Sequence, residues 1–149
     1  MSPTDRIQAL LDRKGGALWT VTPDVTVYEA ISVMSDHEIG AMPVVGNGEL
    51  LGMLSERDYA RKVILQGRSS RDTQVGEIMT SPVVTVGPND TVEDAMRLMT
   101  EHRVRHLPVL SMSRIVGIVS IGDLVNWIIS AHQEEIATLR TYIAGSYPA

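Results

Sequence analysis

The feature of this sequence that most constrains its fold is an internal repeat. Residues 20–65 match residues 85–130 at a constant offset of 65 positions and without a gap. Many of the other positions exchange one aliphatic residue for another. Because a repeated unit of this length builds the same small structure twice, the fold must contain two equivalent halves. The identical pairs include Thr20/Thr85, Val21/Val86, Pro23/Pro88, Thr26/Thr91, Val27/Val92, Ala30/Ala95, Met34/Met99, His37/His102, Pro43/Pro108, Val44/Val109, Gly52/Gly117, Ser55/Ser120 and Asp58/Asp123.

Each copy has the pattern of a β-α-β-β-α unit. In the first copy, a short strand at Thr20–Val21 is followed by a proline turn. Thr26 then opens a helix and has Glu29 three positions later, which is the spacing of a capping box. The apolar residues that follow recur at helical spacing, so we expect this helix to bury one face.

The second half of each copy predicts a β-hairpin and a final helix. Two apolar strands flank Asn47–Gly48, which is a strong signal for a two-residue turn. The second copy has Met112–Ser113 at these positions, and we expect a looser turn there. Ser55 and Ser120 are predicted to be the N-caps of the final helices.

The two copies are expected to form one α/β (α+β) module rather than two independent domains. Each small unit would expose an apolar sheet face to water unless the sheets packed against each other. A short N-terminal helix should end at Gly15–Gly16, and the tail helix should extend the last helix and stop at Gly145. The expected parts are 1–16 (N-terminal helix), 17–65 (repeat 1), 66–82 (connector, with a helical turn at 75–79), 83–130 (repeat 2) and 131–149 (C-terminal helix and tail).

Composition narrows the possible functions. The net charge of −5 argues against general binding to duplex nucleic acid, which needs a cationic face. Most basic residues lie within 57–114, however, so a local anion site remains open. The absence of cysteine excludes disulfides and thiolate metal sites. With neither a signal-peptide pattern nor a long apolar run, we expect a cytoplasmic protein that does not enter membranes.

A serine and an aspartate recur at the start of the last helix of each copy, as Ser55/Asp58 and Ser120/Asp123. A helix N-terminus accepts phosphate, and the serine hydroxyl can donate to it. An aspartate one turn later can accept two hydrogen bonds from a ribose diol. Together these groups predict a site that binds a nucleotide. The same spacing also describes a capping box, in which the aspartate only satisfies the serine N–H.

In their order, these motifs resemble CBS domains, named after cystathionine β-synthase, and the pair resembles a Bateman module. The motifs are Thr-Val followed by proline, then "IGAMPVV" and "VRHLPVL", then "LGMLSERDYA" and "VGIVSIGDLV". The resemblance covers about residues 17–130. It implies a stand-alone, non-catalytic sensor of energy or metabolites that binds AMP, ADP, ATP, NAD(H) or S-adenosylmethionine in clefts between the repeats. No cofactor is required, and a nucleotide would bind with or without Mg²⁺.

The resemblance also assigns roles to residues. Asp58 and Asp123 would hold ribose, and the two serines would meet phosphate or ribose. Backbone at 20–21 and 85–86 would line the base, residues 42–43 and 107–108 would form apolar walls, and 105–106 would contact phosphate. The first copy has Gly40–Ala41 in place of Arg105–His106, so the two clefts should differ in affinity or ligand. The ligand-binding residues implied are Thr20, Val21, Met42, Pro43, Ser55, Arg57, Asp58, Thr85, Val86, Arg105, His106, Leu107, Pro108, Ser120, Ile121, Gly122 and Asp123.

Other functions compete with this interpretation. The serines lack an evident general base, and four histidines in all make a metal site a weak hypothesis. A nucleotide hydrolase using Asp58 or Asp123 with Mg²⁺, and a binder of single-stranded nucleic acid, are further alternatives. The apolar helices at 59–64 and 124–129 would also suit a ligand-free dimerisation scaffold. We expect a homodimer that regulates an unknown protein partner.

Overall fold

The computed structural model describes residues 1–143, and the predicted helix end at Gly145 lies outside them. The fold is mixed α+β, with two small antiparallel sheets and helices, as the repeat predicted. The elements in chain order are α1 (Ile7–Lys14), α2 (Val27–Asp36), β1 (Ala41–Gly46), β2 (Glu49–Ser55), α3 (Glu56–Tyr59), which continues as a π-helical turn (Ala60–Ile64), α4 (Val75–Ile78), α5 (Val92–His102), β3 (His106–Ser111), β4 (Arg114–Ser120) and α6 (Ile121–Ile143).

The chain divides into two compact units. The first comprises Ala17–Thr85 with the tip of the second hairpin, Leu110–Gly117. In it, β1 and β2 pair antiparallel with Met42 opposite Leu54, and α2 contributes Ala30 and Met34 to the core. These four side chains are almost completely buried, which removes their apolar surface from water and stabilises the unit.

The second unit comprises Met1–Gly16, Val86–Val109 and the chain from Ile118 on. In it, α6 packs against both α1 and α5. α6 contributes Leu124, Trp127 and Ala131 to the interior, and the Trp127 Nε1–H donates to the carbonyl of Ser2 at 3.0 Å. The N-terminal helix is therefore part of the second repeat's unit.

The repeat extends further toward the N-terminus than sequence identity shows. The Val75 N–H at the start of α4 donates to the carbonyl of Val25 at 2.9 Å. The Ile7 N–H at the start of α1 donates to the carbonyl of Asp90 at 2.8 Å. Val25 and Asp90 are 65 positions apart, so α1 and α4 bond to equivalent positions of the two copies, α1 to the second and α4 to the first.

Two local expectations differ from the structure. The strand predicted at Thr20–Val21 is reduced to a single parallel bridge between Val21 and Val44, because the proline turn follows at once. The prediction of a looser turn in the second hairpin is wrong. Met112 and Ser113 both have positive φ, 51° and 65°, as Asn47 does in the first turn. The tight turn therefore forms although its residues rarely adopt this backbone region.

Candidate functional site

The serine and aspartate of the first copy form a capping box. The Asp58 N–H donates to Ser55 Oγ at 3.1 Å, and the Ser55 N–H and hydroxyl both donate to Asp58 Oδ2 at 3.0 Å. Ser55 is thus the N-cap of α3, as predicted. This pair therefore has a structural role as the cap of α3.

The second carboxylate oxygen of Asp58 is also occupied. Asp58 Oδ1 accepts a hydrogen bond from the Thr80 hydroxyl at 2.9 Å and lies 3.0 Å from Lys62 Nζ. Lys62 also donates to the carbonyl of Ile78 at 2.9 Å. Asp58 is only 7% exposed. A ribose diol would have to displace these donors before it could bind this carboxylate.

The second copy has the same capping box in a more open setting. The Ser120 N–H donates to Asp123 Oδ2 at 2.9 Å, and the Asp123 N–H donates to Ser120 Oγ at 3.1 Å. Lys14, at the end of α1, donates to the same Oδ2 at 2.7 Å and to the carbonyl of Ile118 at 3.0 Å. The Asp123 side chain is 22% exposed. The contacts from Ser120 N–H and Lys14 both use Oδ2 of this carboxylate.

Basic side chains gather around Asp123. The Ile121 N–H donates to the carbonyl of Arg105 at 2.8 Å, which fixes the start of α6 beside the start of β3. Burial is the main cause that lowers the pKa of His106 below its usual range. The charge of Lys14 lowers this pKa further, the charge of Asp123 raises it, and the charge of Arg105 lowers it. The neutral form of His106 is therefore favoured among these charges.

This shifted pKa predicts a pH dependence of stability. As the pH falls below the ordinary histidine value of 6.5, the unfolded chain protonates His106 before the folded chain does. The free energy of unfolding should therefore be highest above that pH and fall as the pH approaches the lowered folded pKa. Urea unfolding from about pH 7.5 to about pH 5 measures this. A His106→Asn variant should lose less stability over this range, and an unchanged slope would contradict the assignment.

A pocket of about 240 Å³ adjoins Asp123 within the same unit. Its volume is below the roughly 300–1,000 Å³ usual for small-molecule sites, so it does not by itself enclose a nucleotide. Its lining residues are Met1, Leu10, Arg13, Lys14, Asp123, Asn126, Trp127 and Ser130. The sequence did not predict the α1 residues of this pocket, because the identities between the two copies begin only at Thr20.

The remaining predicted site residues lie near the first bridge of each repeat, on the hairpin strands and at the starts of α3 and α6. The Val21 N–H donates to the carbonyl of Pro43 at 3.0 Å, and the Val86 N–H donates to that of Pro108 at 3.1 Å. The Met42 and Leu107 side chains are fully buried in their cores. Thr20, Arg57 and Gly122 lie at exposed positions, and Thr85 and Ile121 are partly buried.

The described residues form neither a metal site nor a membrane-spanning helix. Residues 1–143 contain no group of three or more histidines or carboxylates placed to hold a metal ion. Over the same residues, no helix combines the length and apolar character needed to cross a membrane.

Comparison with known proteins gives a consistent result. The model of the CBS domain family matches residues 17–64 and 75–130. A mitochondrial CBS domain-containing protein of Arabidopsis thaliana, CBSX3, is 48% identical over 138 residues, which are 89% of this chain and 66% of that protein. The CBS domain-containing protein YhcV of Bacillus subtilis is 46% identical over 105 residues, 70% of this chain and 74% of its own. A solved structure with CBS domains from Burkholderia ambifaria superposes with a TM-score of 0.81 at 46% identity, covering 85% of this chain and 95% of that one.

Proposed function

Because this chain belongs to the CBS domain family and carries a pair of these domains, a type of regulatory module, we propose that it binds an adenosine-containing ligand. The ligand class is AMP, ADP, ATP, NAD(H) or S-adenosylmethionine, with or without Mg²⁺. The observation that carries the proposal is the half-buried Asp123 carboxylate, which lies at a helix N-terminus among basic side chains.

The second repeat supplies groups for both parts of a nucleotide. Asp123 Oδ1 would accept hydrogen bonds from the ribose diol, while Oδ2 remains in the capping box. Lys14 and Arg105 would meet phosphate oxygens, since charge-assisted hydrogen bonds to phosphate are strong. His106 would donate the N–H of its neutral ring. A Cβ added at Gly122 would meet only Ser120 Oγ, at 3.6 Å, so the start of α6 is open to an approaching ligand.

The first repeat presents a less accessible aspartate than the second. Its aspartate is held by Thr80 and Lys62 and is nearly inaccessible. A ligand that used Asp58 would leave buried donors without partners, which costs about 1–3 kcal/mol for each. We therefore assign the principal ribose contact to Asp123 alone.

The proposed module acts by binding and performs no chemistry on its ligand. Ligand binding would shift the population of conformations that a regulated protein partner recognises. We also propose that the protein is cytoplasmic and forms a homodimer. A ligand-free scaffold is the second candidate, because both repeated aspartates already form capping boxes within the protein.

A thermal-shift titration with AMP, ADP, ATP, NAD⁺, NADH and S-adenosylmethionine tests the proposal, with ATP assayed with and without Mg²⁺. A ligand at 100 times its Kd should stabilise the protein by about 2.7 kcal/mol. For a chain of this size that is a rise in Tm of roughly 5–10 °C. The Asp123→Ala variant should lose the shift.

The matched control is Asp94→Ala. Asp94 forms the capping box of α5 with Thr91, so its loss removes the same kind of cap without touching the proposed site. It should keep the full ligand shift. If no compound shifts the parent protein, the scaffold function is favoured and the nucleotide proposal is wrong.

A further inference from the structure

The C-terminal half of α6 extends beyond the packed part of its unit. Ala131 is the last buried residue of this helix, and every residue from His132 to Ile143 is exposed. These residues span about 18 Å of helix at 1.5 Å per residue. In this region the N-terminal ammonium of Met1 contacts Glu134 at 2.8 Å. An unsupported helix of this length is marginal in water.

An apolar stripe runs along the exposed side of α6. Its members follow one another at intervals of four and three residues, the 3.5-residue period of a coiled-coil seam. This stripe is distinct from the inner face formed by Leu124, Trp127 and Ala131. Four of its apolar members, Ile129, Ile136, Leu139 and Ile143, are 48%, 36%, 60% and 82% exposed. The α6 seam consists of Val125, Ile129, His132, Ile136, Leu139 and Ile143.

We propose that the α6 seam pairs with the α6 seam of a second copy of this chain as a parallel, in-register, two-stranded coiled coil. In heptad notation, isoleucine occupies every a position, 129, 136 and 143, and leucine occupies the d position at 139. β-Branched residues at a with leucine at d favour parallel dimers. His132 is the polar residue of the seam, and such a residue fixes register at a cost in stability.

Charge placement supports the parallel orientation. Glu135 lies at a g position and Arg140 at the e position five residues later. In a parallel coiled coil, g of one helix faces e of the next heptad on its partner, so two Glu135–Arg140 pairs form across the dimer. In an antiparallel pair, g faces g and e faces e, and like charges would meet instead. The interface does not depend on nucleotide binding.

Single-cysteine cross-linking tests the seam directly, because the chain has no cysteine of its own. In a parallel, in-register dimer, Leu139→Cys brings two thiols within the distance that a disulfide requires. Mild oxidation should convert this variant to a covalent dimer. Thr138→Cys, its exposed neighbour outside the seam, is the matched control and should remain uncross-linked. Equal cross-linking of the two variants, or none of Leu139→Cys, would overturn the proposal.

Sedimentation equilibrium of the full chain gives an independent test. Leu139→Glu should weaken dimerisation at least about tenfold, while Thr138→Glu should not. Glu135→Arg should also weaken the dimer, and the double variant Glu135→Arg/Arg140→Glu should restore it, because the charges then pair in the opposite sense. A monomeric parent, a dimer unaffected by Leu139→Glu, or a double variant weaker than both single variants would contradict the parallel seam.

Discussion

Replacing Asp58 by alanine should lower the free energy of unfolding by about 2–4 kcal/mol, one of the two largest effects expected for a single substitution in this protein. The side chain accepts hydrogen bonds from the Ser55 backbone, the Ser55 hydroxyl and the Thr80 hydroxyl, and pairs with Lys62. Its removal leaves donors without partners in a nearly buried site. Urea unfolding followed by circular dichroism measures the loss.

Two variants separate the sources of this loss. Asp94→Ala removes an equivalent but exposed capping carboxylate and should cost clearly less. Thr80→Val removes only the donor to Oδ1 and should cost about 1 kcal/mol. If Asp58→Ala is no worse than Asp94→Ala, the buried network is not stabilising. The aspartate of the first repeat would then be free to serve a ligand.

The two repeated aspartates share a capping box but differ in their other contacts. Both aspartates use one oxygen in the capping box, so the spacing predicted a real structural element. What differs is the other partner of each carboxylate: Thr80 donates to Asp58 Oδ1, whereas Lys14 donates to Oδ2 of Asp123, the oxygen that is also in the capping box. Both partners are distant in sequence from their aspartates. Thr80 lies 22 positions from Asp58, and Lys14 lies 109 positions from Asp123. No local pattern could have placed either residue at the site.

Other parts of the fold could be predicted because their signals are local. Thr26 and Thr91 cap α2 and α5 at the predicted positions, and Asn47–Gly48 forms the first hairpin turn. The π-helical turn at Ala60–Ile64 could not be predicted, since the second copy continues as an ordinary α-helix with a similar apolar pattern. The tight turn at Met112–Ser113 forms because the flanking strands impose its geometry despite unfavourable residues.

The second repeat also differs from the first in charge. Where the first copy has Gly40–Ala41, the second has Arg105–His106, and α1 adds Lys14 to the same unit. The Asp58 carboxylate is closed by its own unit, whereas the Asp123 carboxylate retains exposed surface beside basic groups. The duplicated sequence has therefore produced one nearly buried aspartate and one with exposed surface, and we propose the second as the ligand contact.

Gly52→Ala should destabilise the protein by about 2–3 kcal/mol, as overpacking of a tight site does. A Cβ at this position would lie 2.7 Å from Met79 Sδ and 2.9 Å from the carbonyl oxygen of Thr80. The Thr80 backbone cannot move away easily, because its N–H and carbonyl both hydrogen-bond to Met53, at 2.8 and 3.0 Å. Thermal and urea unfolding of the variant would measure the loss.

Gly52 and Asp58 both contact Thr80, so the effects of substituting them are linked. By letting the backbone of Thr80 lie against β2, Gly52 places the Thr80 hydroxyl on Asp58 Oδ1. The effects of Gly52→Ala and Asp58→Ala should therefore be less than additive in the double variant, since both break the same contact. Gly122→Ala is the matched control, because its Cβ meets only ordinary contacts and alanine favours a helix by about 1 kcal/mol. Full additivity at Gly52 and Asp58 would show that Thr80 does not couple them.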